Sequence, residues 1–323
     1  MKIAGSIILL SVLIVLALGY PNPEGQWFGY LQPDAEVDQT LFWILRLPEV
    51  LICIAAGSAL AIAGLLLQTF LNNPLAGPSI LGLTSGSHLL VALTTMATAG
   101  WSSSFTDISI TAAAAIGALI FGLIILLLSN YLKSKVSMLL VGMMLGTFVS
   151  AITSIIVTKA DPSSIKAFTV WSYGTLSQIE MGDFLIITPV IAVCILLSVL
   201  LCKQLDALQL GETQAIYLGV NYNRTKWLIL IVVSVLTGVI TSYCGPIAFV
   251  GLIVPNVVRM IYRTGHHRHL VFYSLIWGAI VLVLCDLIKL ALDQYVTIPI
   301  NGLTSLMGAP IVVLLILKQS KNA

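Results

Sequence analysis

The residues able to carry chemistry are few and far apart. Asp286 and Lys289 stand at i and i+3, a spacing that puts both on one helix face, where they can pair or form steps of a proton path. His88 is a third ionisable group inside an apolar run. A path for protons or bare ions needs more such groups on other helices. A structural Asp286–Lys289 pair near a helix end, with Lys289 snorkelling, is therefore the simpler reading, and a proton-driven transporter using these groups the competing one. His266, His267 and His269 cluster beside Arg263 and Arg268. No Cys, Asp or Glu lies near enough in sequence to complete a metal site, so they read as a solvated basic turn rather than an enzyme centre. Five cysteines (Cys53, Cys194, Cys202, Cys244, Cys285) occur singly without CxxC spacing, as small buried hydrophobes do. The chain contains no Gly-Lys dipeptide, hence no G-x-x-x-x-G-K-[ST] phosphate loop, and no H-E-x-x-H. No catalytic residue, resident metal or cofactor is predicted. If the chain does active work, the energy must enter through a partner.

These groups sit in a background that is 59% hydrophobic and 9% charged over 323 residues, with mean hydropathy +1.05. Soluble domains carry roughly 25% charged residues, so a soluble enzyme is excluded. A spanning helix needs about 20 apolar residues. Apolar runs broken by Pro, Gly or charge predict ten spans, at 3–20, 47–70, 79–99, 108–130, 136–157, 184–202, 226–243, 246–262, 270–292 and 303–317. The expected fold is an all-α polytopic membrane protein, a single transmembrane domain over 1–323. Lys2 ahead of an apolar run resembles a signal peptide, but no small-x-small cleavage pattern precedes Tyr20-Pro21, so the run is read as an uncleaved first span.

Ten spans place both termini on one side. If that side is the cytoplasm it receives Lys2, Lys133, Lys135, Lys203, Arg224, Lys226, Arg259, Arg263, Arg268, Lys318 and Lys321, 11 of the 15 basic residues, as the positive-inside rule expects. Arg46, Lys159, Lys166 and Lys289 fall at the other face with ten acids: Glu24, Asp34, Glu36, Asp38, Glu49, Asp107, Asp161, Glu180, Asp183 and Asp293. The net charge of +2 forms no basic face for nucleic acid.

The spans are rich in small residues. Gly142, Gly146, Ser150 and Ser154 recur every four residues, near Met138, Met143 and Met144. Such a stripe serves close helix packing or lines a path for a bulky uncharged solute. Gly57, Ala61 and Gly64, with Gln68 below them, read as packing. Two Gly/Pro-rich stretches, 73–86 and 245–255, interrupt the helices in the two halves of the chain. Broken helices survive in membranes only when buried in protein or facing a cavity. The one sizeable loop on the basic side, 203–225, reads as two short helices divided at Gly211, the second starting near Glu212 and closing at Gly219. Leu205, Leu208, Ala215 and Leu218 give it apolar faces. A loop too short for its own core yet so patterned suggests a docking surface.

The sequence resembles the FecCD-type permease subunits of ABC importers for iron–siderophore complexes, heme and cobalamin. The matching stretches, in family order from residue 46 to 310, are Arg46-Leu47-Pro48; Gly57 to Gly64 with Leu66, Gln68, Asn73-Pro74-Leu75-Ala76 and Pro78; Leu81-Gly82 with Ser85-Gly86; Leu210-Gly211-Glu212 with Leu218-Gly219-Val220; Gly245-Pro246-Ile247 with Phe249-Val250-Gly251-Leu252 and Pro255; Arg259; Asp286; and Pro299 with Gly308-Ala309-Pro310. The resemblance implies a BtuC-like protomer in the cytoplasmic membrane, paired with a second copy or a homologous permease. It implies two cytoplasmic ATPase subunits, which hold the ATP and Mg, gripping Leu208, Leu210, Gly211, Glu212, Ala215, Leu218 and Gly219. An extracytoplasmic binding protein would deliver the cargo, with an iron complex the expectation because such cargo is commonest in the family. It further implies a path along the fifth span at Gly142, Met143, Gly146, Ser150 and Ser154, and an outer gate helix at about 161–178, begun by Asp161-Pro162.

The chain departs from the family pattern at one point. Many members carry Arg-Leu-Pro-Arg at the outer end of the second span, whose arginines meet carboxylates of the binding protein, and a third basic residue near the end of the ninth. Here Arg46 is kept, Glu49 replaces the second arginine, and Lys289 matches the third across a one-residue gap. Docking is thus expected through Arg46, Lys289 and a reversed charge at Glu49, met by a basic residue on the partner.

Overall fold

The computed structural model describes residues 2–20, 27, 41–98, 103–132, 134–293 and 295–322. Glu24, Asp34, Glu36, Asp38 and Lys133, assigned to one face or the other above, lie outside the described residues. Each of the ten apolar runs forms a helix. They are α1 (Lys2–Leu18), α2 (Leu47–Leu71), α3 (Leu83–Ala97), α4 (Ser103–Leu128), α5 (Lys135–Thr158), α7 (Phe184–Leu200), α10 (Tyr222–Cys244), α11 (Val250–Tyr262), α12 (His267–Asp293) and α13 (Ile300–Asn322). Three short helices lie between them: α6 (Pro162–Tyr173), α8 (Cys202–Leu208) and α9 (Glu212–Tyr217). Among the described residues six helices, α2, α4, α5, α7, α10 and α12, are long and apolar enough to cross a bilayer.

Helix α2 is the axle. It is apolar on every side, as a helix surrounded by other helices must be, and almost every residue from Val50 to Leu71 is buried. Its small residues let two neighbours approach backbone to backbone. A Cβ built on Gly57 would stand 2.1 Å from the Gly278 carbonyl oxygen of α12, and one on Gly64 only 1.6 Å from that of Gly251 in α11. Packing, the reading preferred for this stripe, is what the structure shows. The helix ends at Asn72, whose left-handed backbone (φ 47°) closes the last turn, a conformation Asn tolerates better than most side chains.

The two Gly/Pro-rich stretches are chain breaks. The first runs from Asn73 to Gly82 between α2 and α3, and the second covers Gly245–Phe249 between α10 and α11. Ala76, Leu81 and Ile247 are buried within them, so both breaks are packed into the helix bundle. Asn256 on α11 donates to the Pro74 carbonyl at 2.8 Å, joining the second half of the chain to the first break. All five cysteines are buried.

Candidate coupling and docking sites

Helices α8 and α9 meet at Gly211, as the glycine spacing predicts. Its backbone, at φ 108° and ψ 160°, occupies a region essentially reserved for glycine. The second glycine closes α9: Val220 N–H donates to Ala215 O at 3.0 Å and Gly219 N–H to Ile216 O at 2.9 Å, with Gly219 at φ 84°. This is the paired reverse bonding of a glycine-terminated helix. The apolar residues divide differently from the expectation. Leu205, Leu208 and Ala215 are buried; they fasten the segment to the helix bundle and present nothing outward. Leu210, Ile216, Tyr217 and Leu218 form the exposed apolar platform, Tyr217 at 86%. Leu208 and Ala215 are therefore anchors, while Ile216 and Tyr217 join the surface. The overlooked signal is the tyrosine, an amphipathic ring beside the terminating glycine.

The anchoring runs through a residue read as solvated. His267 is fully buried. Its backbone N–H donates to Asp206 Oδ1 at 2.8 Å and its Nδ1 lies 2.7 Å from the same oxygen, while Nε2 lies 2.8 Å from Thr69 Oγ1. One imidazole thus ties α8 to the ends of α12 and α2. Asp206 lies 61 residues from His267, so nothing in the local sequence reveals the link. His266 and His269 are exposed, as expected, and no group of three metal-ligating side chains occurs among the described residues. Nearby, Arg259 donates to Gln68 Oε1 at 2.5 Å and Gln68 Nε2 to Leu252 O at 2.9 Å, a second polar tie between α11 and α2.

The stripe on α5 splits. Gly142 and Gly146 are buried against Leu81, Gly82 and Ser85 at the first chain break; they give the break room and do not line an open surface. Met143, Ser150 and Ser154 are exposed, together with Thr147. These four share one helix face by their spacing of four, three and four residues.

At the opposite end of the bundle the predicted docking residues turn toward one another. Glu49 is only 5% exposed at its side chain and receives Arg46 Nη1 at 3.3 Å and Lys289 Nζ at 3.4 Å. Arg46 also lies over the ring of Tyr20, 5.3 Å from its centre. Lys289 thus pairs with Glu49 rather than with Asp286, which correction follows from its reach across the α2–α12 contact. Asp286 is buried with Oδ1 unpartnered among the described residues. Glu49 is a counter-ion inside the protomer, so the surface contact expected of it is not available. Burial of a carboxylate requires such partners, since an unpaired charge in a dry interior is strongly disfavoured.

The predicted gate segment forms α6, and Asp161 caps it. Its carboxylate accepts from Ser163 Oγ, from Ser164 N–H at 3.2 Å and from Ser164 Oγ at 3.0 Å. These donors hold the Asp161 carboxyl down to about 2, below its ordinary 3.8. The helix stops at Tyr173, short of residue 178, because Gly174 turns the chain at φ 73°. Thr175 N–H then bonds the Cys244 carbonyl at 2.8 Å, and Gly245 lies against Trp171. His88 bonds Thr84 O in its own helix and meets Phe168 and Trp171 edge to face. The α6 helix is therefore fastened at its start by a cap and at its end to the second chain break. Asp161→Ala is expected to speed hydrogen exchange at Ser164 and Ile165 without unfolding the protein. In the native chain the same fraying should appear only on acidification from 3.8 through about 2, because a depressed carboxyl stabilises above its unfolded value and loses that contribution as it protonates.

An all-helical bundle with two buried chain breaks and an outward apolar platform defines a specific architecture. The model of the FecCD transport family matches residues 7–318. The chain belongs to the FecCD transport family. Its members are permease subunits of ABC importers, and this chain is one of them. The hemin transport system permease of Yersinia pestis is 32% identical, covering 97% of this chain and 95% of the relative. The vitamin B12 import permease of Vibrio cholerae is 30% identical with 97% and 94% coverage, and the Fe(3+) dicitrate permease FecC of Escherichia coli 32% with 85% and 82%. Among solved structures, an ABC transporter assigned to the metal-chelate type, captured inward-facing, matches with TM-score 0.86 at 28% identity, covering 97% of this chain and 98% of that one.

Proposed function

We propose that this permease carries an iron complex, a siderophore chelate or heme, inward across the cytoplasmic membrane, with both termini in the cytoplasm. ATP hydrolysis in partner subunits seated on the α8–α9 platform drives the movement, and an extracytoplasmic binding protein supplies the cargo. Two copies of this chain, or this chain and a homologous permease, enclose the path. The carrying observation is the platform itself. Four exposed apolar side chains, Leu210, Ile216, Tyr217 and Leu218, stand on a segment bonded into the bundle by Asp206 and His267, and an apolar patch on so small a rigid support is a partner surface. Their side also gathers most of the Lys and Arg residues, which supports the orientation.

For the cargo, the relatives named for hemin and Fe(3+) dicitrate support iron. The uncharged exposed face of α5, Met143, Thr147, Ser150 and Ser154, suits a bulky solute, and these residues are the proposed lining. The relative named for vitamin B12 supports cobalamin as the second reading.

The test is uptake by vesicles holding the permease with its partner ATPase and binding protein, supplied in turn with a ferric siderophore, hemin and cyanocobalamin. ATP-dependent accumulation of iron is expected. Accumulation by the permease alone under a proton gradient would overturn the reading in favour of coupling through Asp286. A companion prediction concerns the platform. Leu218→Asp should reduce co-purification of the ATPase about tenfold or more, as loss of an interface anchor does. The amount of permease in the membrane should stay unchanged, because Leu218 is 63% exposed.

A further inference from the structure

Beside the platform, two adjoining cavities open on the flank of the bundle where α7 and α12 run together. One, of about 560 Å³, is lined by Val199, Cys202, Lys203, Asp206, His266, Arg268 and His269. The other, of about 280 Å³, continues from it along Ile3, Val199, Val271, Phe272 and Leu275, and the two share Val199, Arg268 and His269. Chemistry changes along this groove. At the end of the bundle it is basic: Lys203, Arg268 and His269 are exposed around it, and His269 lies flat on Tyr273 at 6.0 Å between ring centres. The acid on this rim, Asp206, is engaged on both oxygens, Oδ1 by His267 at 2.7 Å and Oδ2 by His266 at 4.0 Å, so Lys203 and Arg268 are the side chains that face the opening. One helical turn deeper the groove is apolar, with Val199 43% and Phe272 48% exposed.

We infer that this groove binds an anionic phospholipid, its phosphate held by Lys203 and Arg268 and one acyl chain laid along Val199, Phe272 and Leu275. The order of the two chemistries is the reason. A basic rim followed at once by an apolar floor matches a headgroup and its chain, whereas a soluble anion would leave the floor uncovered. The cytoplasmic leaflet, where the orientation proposed above puts this end of the bundle, is the anionic one. Cys202, Lys203 and Asp206 of α8 line the groove, so an occupied site braces the helix that carries Asp206.

The inference rests on the chain spanning the bilayer and is independent of which cargo it carries. The full-length permease, released intact from vesicles of equal phosphatidylglycerol and phosphatidylcholine, is weighed by native mass spectrometry for retained lipid. Wild type should retain phosphatidylglycerol about thirtyfold over phosphatidylcholine, two basic side chains contributing about fivefold each. The preference should vanish in Lys203→Gln/Arg268→Gln. Retention itself should fall in Val199→Trp, which keeps the charges and fills the apolar floor. Equal retention of the two lipids by wild type would overturn the inference. So would loss in the charge variant alone with Val199→Trp unaffected, which marks a site for a bare anion, or a shift in Val199→Trp from dimer to monomer without loss of lipid, which marks the groove as a contact between copies.

Discussion

Glu49→Arg should remove folded permease from the membrane. The substitution sets a third cation beside Arg46 and Lys289, in a site where the Glu49 side chain is 5% exposed. Breaking a buried pair costs about 3–5 kcal/mol because the remaining charge is stranded, and total stability is typically only about 5–15 kcal/mol. Glu49→Gln should lose part of that amount. The decisive arm is Glu49→Arg with Lys289→Glu in one chain: thermal melting of the detergent-solubilised protein should recover, since the opposite signs again meet across α2 and α12. If melting is unchanged in Glu49→Arg and only association with the binding protein shifts, the carboxylate serves the partner after all.

Gly64→Val should be as damaging, for a reason without electrostatics. A Cβ there lands 1.6 Å from the Gly251 carbonyl oxygen, and backbone cannot rotate away as a side chain can. Helices α2 and α11 must part along their whole crossing, and the Gln68–Arg259 tie one turn below would open with them. A loss at or above the roughly 3 kcal/mol end of overpacking costs is expected, read as a fall in melting temperature and in membrane yield. Gly5→Ala provides the contrast: nothing lies within 4 Å of its added carbon, so the same measurements should move by less than about 0.5 kcal/mol.

The helices, the two breaks and the paired short helices were legible because their causes are local. Run length sets a span, Pro and Gly end it, and the glycines at 211 and 219 demand backbone angles that neighbours in sequence already announce. What failed depended on which helix lies alongside. The four-residue repeat at Gly142, Gly146, Ser150 and Ser154 looked like one face, but four residues turn a helix by about 400°. The row therefore drifts about 40° per step, carrying its first half onto the Gly82 break and its second half outward. Asp286 and Lys289 share a face by spacing, yet Lys289 finds Glu49, 240 residues away. His267 and Asp206 likewise meet only because the bundle folds α8 under α12. Leu208 and Ala215 were correctly apolar and wrongly aimed, since periodicity says which residues share a side and not whether that side meets protein or a partner.

The glycine crossings also bear on how such a molecule can move. Where backbone rests on backbone, as at Gly57 with Gly278 and Gly64 with Gly251, no side chain can change rotamer to absorb a displacement, and sliding would drive carbonyl oxygens into one another. Helices α2, α11 and α12 consequently behave as a welded frame. Opening one end of the conduit while shutting the other then falls to pieces hung on that frame, α13 among them, whose Gly308 rests on the side chains of Phe249 and Ile253.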